Sequence, residues 1–326
     1  MDNRDLNLHR FVINCGFKKE DIISIKNDAS FRKYYRIKNK NLIVMDAPPE
    51  KGESVEQFKT VADIIYNFNL RAPQIISLDT KHGFMLLEDF GQSSFSHILN
   101  KDNESELYKK AIEILIEINR QSKSKEKQLS KLKSYSIDLL VNESLLFIDW
   151  YLEKREGVLI SSDQKKEFIH ILNDFYKNIK PQSSTLVLRD YHVDNLFYLS
   201  NQKSLKQVGL IDFQDAVIGS SRYDLVSLLE DVRRPLKTDL QNELLEFYIK
   251  GINIKVQDVE REIKFFSIQR NLKILGIFYR LSIRDKKDSY LKYLPNAVKF
   301  IRKNLQDPFF INLVNWLKQF KNHELI

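Results

Sequence analysis

One cysteine, Cys15, stands in 326 residues, so no internal disulfide can form. A chain of this length buries enough apolar surface to fold without one. No run of about 18 or more apolar residues occurs, which excludes an ordinary membrane-spanning helix. The longest candidate, LLVNESLLFIDWYL, is interrupted by Asn142, Glu143 and Asp149. The opening residues, MDNRDLNLHR, are charged and lack the apolar stretch of a signal peptide. With the scarcity of cysteine, this predicts a reducing, cytoplasmic setting. Glycine is sparse too, with nine in all and none between Gly16 and Gly52. A glycine-rich anion-binding loop is thereby excluded from that stretch. Internal repeats and low-complexity linkers are also missing, which excludes solenoids and arrays.

Charge is plentiful. Lys and Arg number 52 against 44 Asp and Glu, a net charge of +8. The cations are spread along the chain, without a basic stretch interleaved with aromatics, so no nucleic-acid partner is expected. A Lys-rich solvated surface, with some charge turned to an anionic small ligand, accounts for the balance.

Hydrophobic periodicity divides the chain in two. Residues 1–20 predict a short helix with Leu6, Leu8, Phe11, Val12 and Ile13 as apolar positions. The runs DIISIKN, FRKYYRI and NLIVMDA predict strands, the last two joined by a turn at Lys38–Asn41. After Pro48 and Pro49 a helix is expected, capped at Glu53-Ser54 and carrying Val55, Phe58, Val61, Ile64 and Ile65 on one face. QIISLD and FMLLEDF complete a small sheet. Beyond residue 90 the pattern is helical, including one helix across SIDLLVNESLLFIDWYLEKRE. Strand–loop–strand character returns only at LVLRDYHVDNLFYL and QVGLIDFQD. The expected fold class is α+β, with a small β-rich N-terminal lobe at residues 1–90 and a large α-helical C-terminal lobe at residues 91–326.

Those two strand–loop–strand segments set Asp190, Asn195 and Asp212 in the order and spacing of a phosphoryl-transfer site. Asp190 opens a loop after an apolar run, where a carboxylate can orient the proton of an attacking hydroxyl. A turn-forming Asp held by backbone amides is the plainer use of such a residue. The company of Asn195 and Asp212 favours chemistry. Asp212 follows Val208, Leu210 and Ile211, so an apolar strand delivers it. Its carboxylate and the Asn195 carbonyl suit Mg²⁺, which prefers oxygen ligands. Asp215 has equal claims as a further ligand and as a loop hydrogen-bonder, whereas Asp224 is expected to anchor loop backbone. Arg189 would tie down a loop or meet a phosphate, and His192 is expected to hydrogen-bond within the loop.

D-x-x-x-x-N followed by I-D-F resembles the phosphotransferase branch related to protein kinases, which includes aminoglycoside and choline kinases. The segments DASFRKYYRI, IVMDAPPEKGE, GFMLLEDFG, LRDYHVDNL, IDFQDAVIGSSRYDLVSLLEDVR and NLKILGIFYRLSIRDKK are similar to the bacterial anomeric amino-sugar kinases. Those enzymes phosphorylate the C1 hydroxyl of N-acetylmuramate or N-acetylglucosamine in cell-wall recycling. The resemblance covers about residues 26–290. It implies a bilobal protein-kinase-like fold using ATP and Mg²⁺, with Asp190 as base and Asn195 and Asp212 as metal ligands. Backbone near Glu88 and Phe90 would meet the adenine, and residues 28–32, with Ser30, would cover the phosphates. A cytoplasmic monomer is implied, with ATP and a small sugar as partners and neither nucleic acid nor membrane. Two other readings stay open: a kinase of another small alcohol or aminoglycoside, and a nucleotide-binding protein without catalysis.

The chain departs from the kinase pattern in three places. The phosphate loop has no glycine, Leu188 stands where kinases carry His, and Met45 or Asp46 occupies the place of the strand lysine. A turn between Asn39 and Lys40 would set Tyr34 opposite Met45 and Arg36 opposite Ile43. Arg32, Tyr34 and Arg36 would then share a face with Met45. Arg32 or Arg36 is therefore expected to supply the missing charge to the nucleotide. On the acceptor side, Arg270, Lys273 and Arg280 share one predicted helix, where solvation is the usual fate of a charge. Glu143, Asp149 and Trp150 lie close in sequence, and such a Trp more often packs in a core than against a sugar.

Overall fold

β-Branched and aromatic runs become strands, and the longer stretches of period 3.6 become helices, in the computed structural model, which describes residues 3–25, 31–182, 184–320 and 325. The order is α1 (Asn3–Asn14), β1 (Ile22–Ile25), β2 (Lys33–Ile37), β3 (Leu42–Asp46), α2 (Val55–Asn67), β4 (Ile75–Asp79) and β5 (Phe84–Glu88). There follow α3 (Phe95–Ile98), α4 (Glu104–Ser124), α5 (Glu126–Leu129), α6 (Ile137–Leu146), a π-helix (Phe147–Arg155) and α7 (Ser162–Ile179). Short strands come next: β6 (Thr185–Val187), β7 (Leu196–Tyr198), β8 (Val208–Leu210) and β9 (Val217–Gly219). The chain closes with α8 (Arg222–Leu229), α9 (Thr238–Ile252), α10 (Glu260–Asp285), α11 (Leu294–Leu305) and α12 (Ile311–Leu317). Two compact units form: Met1–Ile114 with His192–Ala216, and Leu115–Tyr191 with Val217–Ile326.

The first unit is built on an antiparallel sheet of order β1-β2-β3-β5-β4. Asn39 takes a φ of +57° in the β2–β3 turn. The resulting register pairs Tyr34 with Met45 and Arg36 with Ile43, as the turn predicted. Helix α1 buries Leu8, Phe11 and Val12 in one core with Ile37, Val44, Phe84 and Leu86 of the sheet. Ser54 caps α2 by accepting from the Gln57 amide at 3.2 Å. The buried face of α2 carries Val55, Phe58, Val61, Ala62, Ile64 and Ile65. Asp46, at the end of β3, is buried and ion-paired with Arg4 of α1, whose Nε donates at 3.0 Å.

The β7–β8 hairpin belongs to this same unit. The Leu210 amide donates to the Arg71 carbonyl at 2.8 Å, and the Tyr198 amide to the Ser93 carbonyl at 2.8 Å. Phe213, just beyond β8, meets Phe58 of α2 with ring centroids 4.7 Å apart. Gly209 in β8 supports the Phe90 ring, and a Cβ there would lie 2.6 Å from it. Only glycine allows that approach without displacing the ring.

The second unit is organised around α10, which packs on α6, α8, α11 and the π-helix. At Gly276 the backbones of α10 and α6 nearly touch: a Cβ would lie 2.2 Å from the Leu146 carbonyl carbon. The apolar core includes Phe147, Phe168, Phe265, Leu275, Phe310 and Trp316. The single helix expected over residues 136–156 is instead α6 followed by π-helix, with Phe147 and Tyr151 stacked at 5.2 Å. Nine residues make about two turns, too few for apolar spacing to separate the two periods. Among the described residues no helix is long and apolar enough to cross a membrane.

Candidate functional site

In the first unit the β7–β8 hairpin brings Asn195 and Asp212 together. Asn195 ends a 3₁₀ turn just before β7, and Asp212 follows β8 with a φ of +57°. A backbone bond from the Ile211 amide to the Asn195 carbonyl, 3.2 Å, closes the ladder between them. Asn195 Nδ2 lies 3.5 Å from Asp212 Oδ2 and 3.3 Å from His192 Nε2. The amide nitrogen is thus spent on neighbours, and Oδ1 is the atom with metal-ligand chemistry.

Asp212 is the hub of this cluster. Its Oδ1 accepts from Arg32 Nη2 at 3.2 Å and from Gln214 Nε2 at 3.1 Å. The same Gln214 nitrogen reaches Asp215 Oδ2 at 3.2 Å. Arg32 Nε also lies 3.5 Å from Glu53 Oε2. Burial opposes the Arg32 charge, but Tyr34 and then the carboxylates of Asp212, Glu53 and Asp215 outweigh that and raise it above its ordinary value. Tyr34 beside them is pushed up to about 12 by burial, reinforced by Asp212, Glu53 and Asp215 and opposed by Arg32, so its phenol stays neutral.

These donors fit a hard divalent cation. Asp212 and Asp215 offer carboxylate oxygens and Asn195 a carbonyl. Among the described residues there is no group of three or more His, Cys, Asp or Glu side chains able to hold a metal by themselves. Mg²⁺ is commonly bound through one or two carboxylates, with substrate phosphates and water completing its shell.

The other residues picked out for the nucleotide lie as follows. Ser30 falls outside the described residues. Arg32 and Arg36 part company: Arg32 meets Asp212, whereas Arg36 ion-pairs with Asp89 and reaches the Gly91 carbonyl at 3.5 Å. Glu88 is clasped by Arg71 Nη2 at 2.6 Å and accepts from the Gln74 amide at 3.1 Å. The Glu88 amide itself donates to the Gln74 carbonyl at 2.9 Å. The Phe90 ring is wedged against Gly209 and faces Phe197, with Arg71 over it at 5.5 Å.

Asp190 belongs to the second unit, on the loop after β6. Its amide donates to the Leu188 carbonyl at 2.9 Å across Arg189, whose φ is +72°. This is the rare γ-turn of positive φ, a strained geometry. Asp224, at the start of α8, accepts from the Leu188 amide at 2.6 Å and the Arg189 amide at 2.9 Å. Burial pushes its carboxyl up to about 7, and the two backbone donors oppose that rise. Asp224 therefore anchors the loop by its backbone.

The Arg189 side chain pairs with Glu143 of α6 and lies over the Tyr135 ring at 5.4 Å. Glu143 also accepts from the Tyr135 hydroxyl at 2.5 Å and faces Lys273 Nζ at 3.4 Å. Lys273 in turn donates to the Tyr223 hydroxyl at 2.6 Å. Burial alone would raise the Glu143 carboxyl, but Lys273 and Arg189 hold it below the ordinary carboxylate range. Burial alone would lower Lys273, and Glu143, with Asp190 contributing, keeps it above its ordinary value.

Periodicity marked Lys273 as a helix charge but held no sign of these partners. Arg270 is also buried, and Arg280 is half-buried. Asp149 pairs with Lys165 at 2.8 Å, and Trp150 is half-buried.

The model of the "Phosphotransferase enzyme family" matches residues 21–263. An N-acetylmuramate/N-acetylglucosamine kinase of Pseudomonas aeruginosa is 30% identical over 86% of this chain and 82% of its own length. One from Neisseria meningitidis is 28% identical over 87% of this chain and 85% of its own. Among solved structures, an ADP-bound aminoglycoside phosphotransferase superposes with a TM-score of 0.60 at 13% identity, covering 92% of this chain and 98% of that one. The choline kinase LicA of Streptococcus pneumoniae gives a TM-score of 0.60 at 13% identity, over 91% and 98%. At such identity these two establish the fold alone, an α+β protein-kinase-like one.

Proposed function

This chain belongs to the phosphotransferase enzyme family, and from that premise we propose that it is an ATP- and Mg²⁺-dependent kinase of an amino sugar. The acceptor in this reading is the anomeric hydroxyl of N-acetylmuramate or N-acetylglucosamine, and the product a sugar 1-phosphate. The observation that carries the kinase reading is the meeting of Asp212, Asn195 and Arg32, two oxygen donors for a cation and one guanidinium for a phosphate. The sugar rests on curated relatives named as N-acetylmuramate/N-acetylglucosamine kinases. A cytoplasmic monomer working in cell-wall recycling is the setting this reading implies, with the nucleotide bound by the lobe of residues 1–90.

The acceptor oxygen attacks the γ-phosphorus in line, the bond from that phosphorus to the β,γ-bridging oxygen breaks, and ADP leaves. Asp190 orients the attacking hydroxyl and takes its proton. Arg32 grips the triphosphate, helped by backbone of residues 28–32, and the segment at Glu88 and Phe90 receives the adenine. Asn195 and Asp212 would hold Mg²⁺, whose charge, when bound, neutralises the phosphate oxygens.

Turnover with ATP, MgCl₂ and a panel of N-acetylmuramate, N-acetylglucosamine, choline and kanamycin tests this. We expect ADP release with the two N-acetyl sugars and loss of their reducing ends, because a C1 phosphate blocks ring opening. Phosphorylation that leaves the reducing end intact overturns the anomeric assignment. Turnover with kanamycin or choline alone overturns the sugar.

A further inference from the structure

Besides a 3.5 Å bond from the Ser227 hydroxyl to the Arg189 carbonyl, two strong holds act on the loop that carries Asp190. Asp224 holds its backbone through the amides of Leu188 and Arg189. The second hold acts on the Arg189 side chain, and the reaction scheme above gives it no part. Arg189 is not a glycine, yet it sits at a φ of +72° in the centre of the γ-turn that presents Asp190. Such a conformation persists only where its surroundings over-determine it.

What surrounds Arg189 is a largely buried ionic cluster. Glu143 and Lys273 side chains are each only 11% exposed. Glu143 receives the Arg189 guanidinium, the Tyr135 hydroxyl and the Lys273 ammonium, and Lys273 is steadied in turn by the Tyr223 hydroxyl. One carboxylate thus serves two cations, with Asp190 and the protonation-prone Asp224 as the nearby acids.

We infer that Glu143 is a positioning residue for Asp190. By tethering Arg189 it keeps the γ-turn closed and the Asp190 carboxylate aimed, and Lys273 keeps Glu143 ionised in its buried place. The inference rests on Asp190 being the catalytic base. It assigns no substrate contact to Glu143 or Lys273.

The test compares Glu143→Gln, Lys273→Met, the double variant and Asp190→Asn, using ATP·Mg²⁺ with N-acetylglucosamine below the melting transition of each protein. Glu143→Gln leaves two cations facing a neutral amide. It should lower kcat about 100-fold while KM for ATP stays within about threefold, the signature of a misaimed base rather than a damaged nucleotide site. Lys273→Met leaves the Glu143–Arg189 pair and should cost about tenfold. The double variant removes the repulsion, so its kcat should recover about tenfold over Glu143→Gln yet stay below wild type. If Glu143→Gln does not fold, the double variant carries the test, because a buried ion pair can often be exchanged for neutral groups. Wild-type kcat in Glu143→Gln or in the double variant overturns the inference. So does a fall in melting temperature with kcat and both KM values changed in parallel, which marks a merely structural role. Full activity in Asp190→Asn sinks the base assignment itself, whereas an inactive Asp190→Asn beside an active Glu143→Gln sinks only the positioning role.

Discussion

Removing Arg32 tests the proposal that this arginine supplies the phosphate charge in place of a strand lysine. Arg32 is 9% exposed and donates to a carboxylate, Asp212, whose side chain is 38% exposed. Two unit charges about 4 Å apart interact by about 4 kcal/mol at an effective dielectric near 20, an upper bound for so open a partner. A hydrogen bond to a charged group is worth about 1.5–3 kcal/mol net. A triphosphate must win Arg32 from Asp212, so only part of its attraction appears as affinity. We expect Arg32→Ala to weaken ATP binding by about 2 kcal/mol, roughly 30-fold. Arg32→Lys should recover part of that loss, because an ammonium is a point charge without the planar fork. Arg36→Ala is the control. Arg36 is tied to Asp89 and its side chain is 36% exposed, so its loss should change affinity by about threefold at most. Calorimetric titration with a non-hydrolysable ATP analogue and Mg²⁺ measures binding directly, and steady-state KM for ATP checks it. Arg32→Ala binding within twofold of wild type, or Arg36→Ala showing the larger loss, would refute the assignment of the phosphate charge to Arg32.

Three further outcomes follow from packing and burial. Gly209→Ala drives a methyl to 2.6 Å from the Phe90 ring, an overpacking on the order of 1–3 kcal/mol; KM for ATP should rise several-fold, Phe90→Leu in the same chain should restore it, and no recovery refutes the steric cause. Gly276→Ala sets a Cβ 2.2 Å from the Leu146 carbonyl carbon, so the urea midpoint should fall by the equivalent of about 2–3 kcal/mol, although alanine alone favours a helix by about 1 kcal/mol over glycine. Glu230 is pushed up to about 7, chiefly by burial and against the donors Ser267 and Asn271. The folded state then holds that proton more tightly than the unfolded chain, so stability present below pH about 4 is lost as pH rises toward about 7. Glu230→Gln should make that decline in melting temperature shallower, and an unchanged slope would rule out Glu230 as a source.

Much of the first unit was legible because its signals are local. The turn at Asn39 fixes the β2–β3 register, and the register alone groups Tyr34 and Arg36 with Met45 on one face. Ser54 read as a cap because an N-cap needs only its own next turn. What alternation could not reveal was the fate of the two arginines. Arg36 meets Asp89, 53 residues away, and Arg32 meets Asp212, 180 residues away. A shared strand face fixes the direction of a side chain, and its partner depends on chain distant in sequence.

The candidate site divides along the same line. Asp190, Asn195 and Asp212 stand out because their spacing within a short strand–loop–strand stretch is itself the signal. The residues that hold Asp190's loop give none: Glu143 is 46 residues from Arg189, and Lys273 is 50 from Tyr223. Nor does composition help, since an i, i+3, i+4 pattern assigns Lys273 to a helix without saying that its head is buried. Arg189 shows why this matters. Its identity suggests a phosphate ligand or a loop tie equally, and its positive φ is invisible in a string of letters. Asp224 holds the left-handed backbone through two amides, and the partly buried guanidinium adds its own requirement for a counter-charge, which lies far off in sequence. Glu143 meets that requirement, and Lys273 in turn meets the requirement of a buried Glu143.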